Sequence, residues 1–452
     1  MTDQVAAPDA SGNLAKPKTG YAWYTVGVLT VCYTLSFIDR QILSLLVGPI
    51  KAEFNATDTQ VGLLGGLAFS LFYTLVSLPA GRLVDRFNRR NIIVAGVFFW
   101  SLMTAACAVA RGYPGLFLAR MGVGVGEATL APAAVSMISD SFPNEKLGSA
   151  MSTYGIGIYL GSGLALLLGG LVVELVTQTP TLTLPIFGEI ASWRATFLVV
   201  GLPGLLVALW VMTLKEPARK RAILSSDGVA VRLSISETLA VIGKRWIPVA
   251  SIALGLMFQA VALYGFMLWS PAVLQRSFDW SSQQTGLVMG FVVLIGGSLG
   301  MLSGGRLSDR GLVSGRRDAA LRVAAFSSVA GALVFAALMH TQGTSALATV
   351  GVFACGVFLL AMPAGSCYAA SQMVLPNQVR GQALALILFI ANLGGLTMGP
   401  LLPGLLNDFV FRSESALGLS LGITLSVSTL LAAISFGWGR REYRLHHEAL
   451  NP

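Results

Sequence analysis

The chain is built from long apolar runs separated by short polar breaks. Twelve such runs can be drawn, at residues 21–47, 61–82, 92–110, 113–138, 147–176, 193–214, 247–275, 283–304, 319–339, 345–374, 380–407 and 415–438. About 20 apolar residues cross a bilayer core as a helix, and each run is near or above that length. The pattern predicts an all-α polytopic membrane protein with twelve transmembrane helices. The first run begins at Tyr21 without a small-residue cleavage signature, so it reads as a spanning helix rather than a removed signal. Residues 1–20, with Pro8, Lys16, Pro17 and Lys18, are expected to be a disordered cytoplasmic tail.

The runs repeat. Gln60-x-Gly62-Leu63-x-x-Gly66 followed by Gly81-Arg82-Leu83-x-Asp85-Arg86 recurs as Gln284-x-Gly286-Leu287-x-x-Gly290 and Gly305-Arg306-Leu307-x-Asp309-Arg310, every position shifted by 224. A second echo pairs Pro143-Asn144 and Gly148 with Pro376-Asn377 and Gly381, shifted by 233. The longer loop at Gly311 to Asp318 accommodates the difference. Runs two and eight therefore correspond in the same orientation, which predicts two six-helix halves in a parallel pseudo-repeat. The halves are expected at 21–214 and 247–438, joined by a basic cytoplasmic linker at 215–246, with a cytoplasmic tail at 439–452. Within the linker, Ser234 to Ile242 could form a short interfacial helix.

Composition agrees with a membrane protein. Charged residues are 11% of the chain and hydrophobic residues 54%, whereas soluble domains carry about 25% charged residues. The net charge of +9 raises nucleic acid as a partner, but its distribution excludes that reading. Of the 30 Lys and Arg residues, only Lys51, Arg111, Arg194, Arg276 and Arg412 fall on the side opposite the termini, and Arg40 and Arg120 fall within the membrane. The positive-inside rule then puts both termini in the cytoplasm of a multi-pass protein, with basic loops against anionic membrane lipids. Cys32, Cys107, Cys355 and Cys367 lie in apolar runs and read as small hydrophobes. His340, His446 and His447 are peripheral, and the sequence suggests neither metal nor cofactor.

Four charges within the runs stand out: Asp39 and Arg40 in the first, Arg120 and Glu127 in the fourth. A charge at membrane depth costs a few kcal/mol, so it normally faces a cavity or a partner. Arg120 and Glu127 share a helix face about 10 Å apart along the axis. Counted inward from the outer ends of their runs, Asp39 lies about 12 Å deep, Arg120 about 10 Å and Glu127 about 21 Å. Arg120 thus has a candidate carboxylate above and below it. Arg40 points about 100° away from Asp39. It reads equally as a structural pair or a site residue. Gly122, Gly124 and Gly126 leave a smooth surface for close approach. A nucleotide loop is discarded because no βαβ context surrounds these glycines. Trp100, Trp210 and Tyr264 read as belt or packing residues.

These residues resemble a known pattern. Gly81-Arg-Leu-Val-Asp85-Arg86-Phe-Asn88-Arg89-Arg90 is similar to the loop between helices two and three in the major facilitator superfamily, with Asn88 where Gly is usual. Asn tolerates a left-handed backbone, so the turn is expected to survive. Phe37-Ile38-Asp39-Arg40, Arg120 to Ala128 and Pro132 resemble the Spinster branch, and the chain resembles a bacterial member. The resemblance implies a proton-coupled secondary transporter of a lysophospholipid or sphingoid phosphate in the bacterial inner membrane, acting as a monomer by alternating access. It implies Glu127 and Asp39 as proton-coupling carboxylates, with Arg120, Arg40 and Tyr368 binding substrate. It also implies a conformational latch of Gly81, Asp85, Arg86 and Asp140, with Asp309 and Arg310 as counterpart.

Other classes stay in view. A multidrug or small organic-anion carrier shares the same frame. A channel or receptor fits the repeat less well, and no nucleophile–base pair at a common depth suggests an enzyme. Runs seven to twelve offer only mild polar groups at mid-depth, such as Gln259, Ser298, Ser366, Tyr368 and Asn392. One charged and one apolar wall favour an amphipathic substrate.

Overall fold

The computed structural model describes residues 19–177, 179, 181–184, 188–219, 240–375 and 379–450. It contains 12 helices long and apolar enough to cross a membrane: span 1 Gly20–Leu45, span 2 Asp58–Ser77, span 3 Arg89–Ala108, span 4 Tyr113–Ser141, span 5 Lys146–Val176, span 6 Ser192–Met212, span 7 Trp246–Phe278, span 8 Ser282–Val313, span 9 Ala319–Thr341, span 10 Ala346–Ala364, span 11 Gln382–Phe411 and span 12 Glu414–Glu448. The expected runs match these within about five residues, except at the ends of spans 8, 10 and 12, expected at 304, 374 and 438. The first tail (through residue 18), most of the Ser234 to Ile242 stretch, and Pro376-Asn377 lie outside the described residues. An antiparallel hairpin, Thr181–Leu184 with Gly188–Ala191, joins spans 5 and 6 and was not foreseen.

The repeat is visible in the backbone. Thr57 and Ser281 each form a capping box, with Gln60 and Gln284, at the start of spans 2 and 8. Asn55 and Asp279, at the matching positions ahead of them, both take a left-handed turn, with φ 49° and 52°. Asn and Asp are the non-glycine residues that tolerate it best. The repeat glycines serve the interface between halves. Gly62 of span 2 packs against the Pro400 carbonyl of span 11, and Gly286 of span 8 packs against the Leu166 carbonyl of span 5. Any side chain at either position would collide with backbone.

A large apolar cluster crosses both halves at the end that carries Asp58. It unites Ile42, Val61 and Phe197 with Phe266, Phe335 and Phe353. Each half has a further core of its own towards the end that carries Asp85.

The last segment is a helix, Arg440–Leu450, with Tyr443 buried and its hydroxyl donating to the Ala370 carbonyl at 3.2 Å. Asp318 anchors it, taking Arg322 Nε at 2.8 Å and Arg440 Nε at 3.0 Å. Burial alone would raise the Asp318 carboxyl, but the bonds and charges of Arg322 and Arg440 outweigh it and hold the group below its usual value. A depressed carboxyl stabilises the fold above its unfolded pKa, and that stability disappears as pH falls through the folded value. Asp318→Asn should therefore lower the melting temperature by roughly 1–3 °C at pH 7. In melting curves taken at successively lower pH, the gap from wild type should close in acid.

Candidate transport site

Span 4 is broken where its charge sits. One helix runs Tyr113–Glu127 and the next begins at Leu130. Pro132 causes the break, since its ring crowds the Ala128 carbonyl four residues back and it has no N–H to donate. The Thr129 hydroxyl donates instead to the Gly126 carbonyl at 2.9 Å. Glu127 is thereby the last residue of a helix, where a negative charge is disfavoured unless a cation meets it.

Arg40 is that cation. Its Nε and Nη2 lie 2.7 and 2.6 Å from Glu127 Oε2, and the Ser36 hydroxyl donates to the same oxygen at 2.5 Å. The guanidinium is boxed by rings, 4.8 Å from Phe37, 4.5 Å from Phe69 and 4.8 Å from Tyr73. Such cation–π contacts hold a guanidinium in place at about 0.5–2 kcal/mol each. Tyr264 packs on the first half's core from span 7, as a packing residue, and lies close to Arg40. Trp100 is buried under Gly126, and Trp210 is exposed and donates to the Tyr24 hydroxyl.

The expected Arg120 pairs take a different form. Arg120 Nη1 donates to the backbone carbonyl of Asp39 at 3.2 Å, and among the described residues it pairs with no carboxylate. The depth match between spans 1 and 4 holds, but the Asp39 carboxyl lies near Thr104 of span 3. Asp39, Arg120 and Glu127 are all buried, and among the described residues Asp39 Oδ1, Arg120 Nε and Glu127 Oε1 have no hydrogen-bond partner. Buried polar atoms are rarely left so, and those at functional sites await a water, proton or ligand. The span 4 glycines do bring helices close: Gly124 meets the Phe69 carbonyl, Gly126 meets Trp100, and Gly122 meets Met103. Gly124 thus sets Phe69 against Arg40.

In the second half, Gln259 is turned into its own bundle, donating to the Leu360 carbonyl at 2.9 Å and accepting from Ser328. Tyr368 lies in the helix Ala346–Met373, and its side chain lies outside the described residues.

At the Asp58 end the halves are tied through one buried carboxylate. Asp58 accepts from Lys51 Nζ at 2.8 Å, from Arg276 at 2.7 and 2.8 Å, and from Asn407 Nδ2 at 2.6 Å. Lys51 also meets Glu414 at 2.7 Å, and Asp408 takes the Thr59 N–H at 2.6 Å. Gln41 donates to the Met267 carbonyl at 2.7 Å. Spans 1, 2, 7, 11 and 12 therefore meet at this hub. Sequence reading had counted Lys51 and Arg276 only as loop charges.

At the opposite end Asp85, Arg86, Asp309 and Arg310 are exposed, and a Cβ at Gly81 would touch nothing. Asp140 pairs with Arg89, not Arg86. Arg89 also donates to Glu216 Oε1 at 2.6 Å and the Pro217 carbonyl at 2.8 Å, so this network stays within the first half and the linker. Arg219 caps the helix Leu67–Arg86, which continues span 2, donating to the carbonyls of Val84, Asp85 and Phe87. Asn88 is extended, with φ −66°, and caps the span 3 helix by accepting from the Asn91 N–H. Its side-chain acceptor, not a left-handed turn, is what the position uses.

The sequence profile of the Major Facilitator Superfamily matches residues 29–400. An "MFS-type efflux pump" of Mycolicibacterium smegmatis is 28% identical over 436 residues, 94% of each chain. A "Probable L-galactonate transporter" of Escherichia coli is 25% identical over 85% of this chain and 82% of its own. A sphingosine-1-phosphate transporter of Xenopus tropicalis is 26% identical over 94% of this chain and 83% of its own. In fold, the chain matches a crystal structure described as a bacterial homologue of the human lysosomal transporter Spinster, inward-facing and unoccupied. The TM-score is 0.77 at 24% identity, over 96% of this chain and 98% of that one. The profile spans most of the chain, so the chain belongs to the major facilitator superfamily and is a multi-pass membrane transporter, similar to Spinster proteins.

Proposed function

We propose that this transporter couples proton movement to the passage of an amphipathic, lipid-like anion by alternating access. The observation that carries the reading is the Arg40–Glu127 pair, buried at a helix break and boxed by aromatic rings. Protonating Glu127 removes the charge that holds Arg40, and a guanidinium left in an aromatic box has lost the carboxylate it pairs with. An anionic head can then take that place, with Arg120 as the second cation behind it. The apolar second half offers its wall to the chain of such a substrate. Asp39 serves as the second carboxylate of the cycle.

Basic loops orient the Asp85 end to the cytoplasm of the bacterial inner membrane, so the Asp58 hub seals the outside. Asp85, Arg86, Asp309 and Arg310, exposed here, engage when the cytoplasmic side closes. The halves at 21–214 and 247–438 are the moving bodies.

Titration of purified protein with lysophospholipids of decreasing chain length tests the substrate class. Affinity should fall by up to about fourfold per CH₂ removed, the equivalent of ~0.8 kcal/mol. Arg120→Ala should bind far more weakly at every length. Affinity indifferent to chain length overturns the lipid reading. A second reading, efflux of cationic amphipaths, draws support from the partnerless Asp39 Oδ1 and Glu127 Oε1. It would show as displacement of bound lipid by quaternary amines that is lost in Glu127→Gln.

A further inference from the structure

Outside the central site, the membrane-facing surface has one groove with a defined polar end. Spans 3 and 6 cross tightly at Gly201 and Gly204, where Thr104 and Ser101 touch the glycine backbone. They are joined again at the Asp85 end, where Arg90 Nη1 donates to the Leu214 carbonyl at 3.2 Å. Between the two contacts the facing residues are small, Ala95 and Ala208, and the helices leave a cavity of about 640 Å³. That volume lies within the range of about 300–1,000 Å³ typical of small-molecule sites. Its walls are Val94, Phe98, Leu205, Leu209 and Met212, with Phe98, Leu209 and Met212 half or more exposed on the outer face of the bundle. Its mouth is Arg90 and Asn91.

The arrangement is that of an apolar slot capped by one cation. Arg90 uses Nη1 on the end of span 6 and Nε on Asn91, which leaves Nη2 without a partner among the described residues. A cation at the membrane surface beside an acyl-wide slot selects a molecule with a phosphate above and a hydrocarbon chain below. Each Lys or Arg near an anionic leaflet contributes about 1 kcal/mol to such attraction.

We propose that the groove between spans 3 and 6 is a binding site for an anionic phospholipid of the leaflet at the Asp85 end. The headgroup phosphate sits on Arg90 Nη2, and an acyl chain runs over Ala95 and Ala208 between Phe98 and Leu209. The site also touches the linker anchor, because the Arg90 N–H donates to Glu216 at 3.1 Å. An occupied groove therefore presses on the same turn that Glu216 and Arg219 hold.

Native mass spectrometry of the full-length protein tests this, with dioleoylphosphatidylglycerol, dioleoylphosphatidylcholine and inorganic phosphate as separate probes. The glycerol lipid should bind at least about fivefold more tightly than the choline lipid, and free phosphate should not be retained. Ala95→Leu, which fills the slot without touching a charge, should remove that preferential binding. Arg90→Gln should reduce it about fivefold. Equal binding of the two lipids, retention of phosphate alone, or undiminished lipid binding by Ala95→Leu would each overturn the proposal. If Arg90→Gln fails to fold, Ala95→Leu still decides the matter.

Discussion

Glu127→Gln abolishes pH-gradient-driven uptake in proteoliposomes while exchange of substrate without a gradient persists; this is the expected result with the largest functional effect. The reasoning is local. Gln keeps an oxygen that can accept from Ser36 and Arg40 but cannot gain or lose a proton. Breaking a buried ion pair ordinarily costs about 3–5 kcal/mol, because the remaining charge is stranded. Here Arg40 keeps three ring contacts, and its side chain is 13% exposed, so the loss is softened and the protein should still fold. A uptake rate that still rose fully with the imposed gradient would falsify the proton-coupling role of Glu127. Arg40→Lys provides the complement. An ammonium lacks the planar fork that fits both a carboxylate and a stack of rings, so coupling should be impaired although the charge is kept.

Asp58→Ala should produce the largest conformational effect. The carboxylate has no exposed surface and receives Lys51, Arg276 and Asn407 from both halves. Removing it strands Arg276 and leaves Lys51 with Glu414 alone, at a cost of about 3–5 kcal/mol to the state in which the hub is closed. A two-state equilibrium shifted by that amount moves by a factor of hundreds or more towards the state open at this end. Spin labels at the exposed Ala52 and Ser415 should report a new, longer-distance population in Asp58→Ala. An unchanged distance distribution in a folded Asp58→Ala protein would mean that the hub does not set the equilibrium. Asp58→Asn should sit between the two, since it preserves an acceptor for Arg276 but not the charge.

The spans and the repeat were legible because both are local or periodic. Apolar length marks a spanning helix, and a constant shift of 224 marks the pseudo-equivalent halves. The four buried charges were legible for the same reason, since a charge inside an apolar run is conspicuous. Their partners were not. Helix geometry placed Arg40 off the Asp39 face but could not tell that this face meets span 4, where Glu127 waits at the break made by Pro132. The rings around Arg40 come from spans 1 and 2, and each alone is an ordinary aromatic in an apolar run. The Asp58 hub was invisible because its members stand at 51, 58, 276, 407, 408 and 414, each at the edge of a span where a charge excites no notice. Tyr264 reads as packing and does pack, but a single tyrosine carries no pattern that would place it near Arg40.

The first residues after span 6 also set where the chain can be divided. Glu216 neutralises Arg89 and takes the Arg90 N–H in the first turn of the span 3 helix, while Arg219 covers the last carbonyls of the helix Leu67–Arg86. Glu216 and Arg219, although in the linker, are thus bonded to the first half. Two separately translated polypeptides divided beyond Arg219 would retain both caps on the loop at 85–90. A division ahead of Glu216 would leave one helix beginning without its anion and another ending without its cation, and the severed half would carry a frayed loop at 85–90.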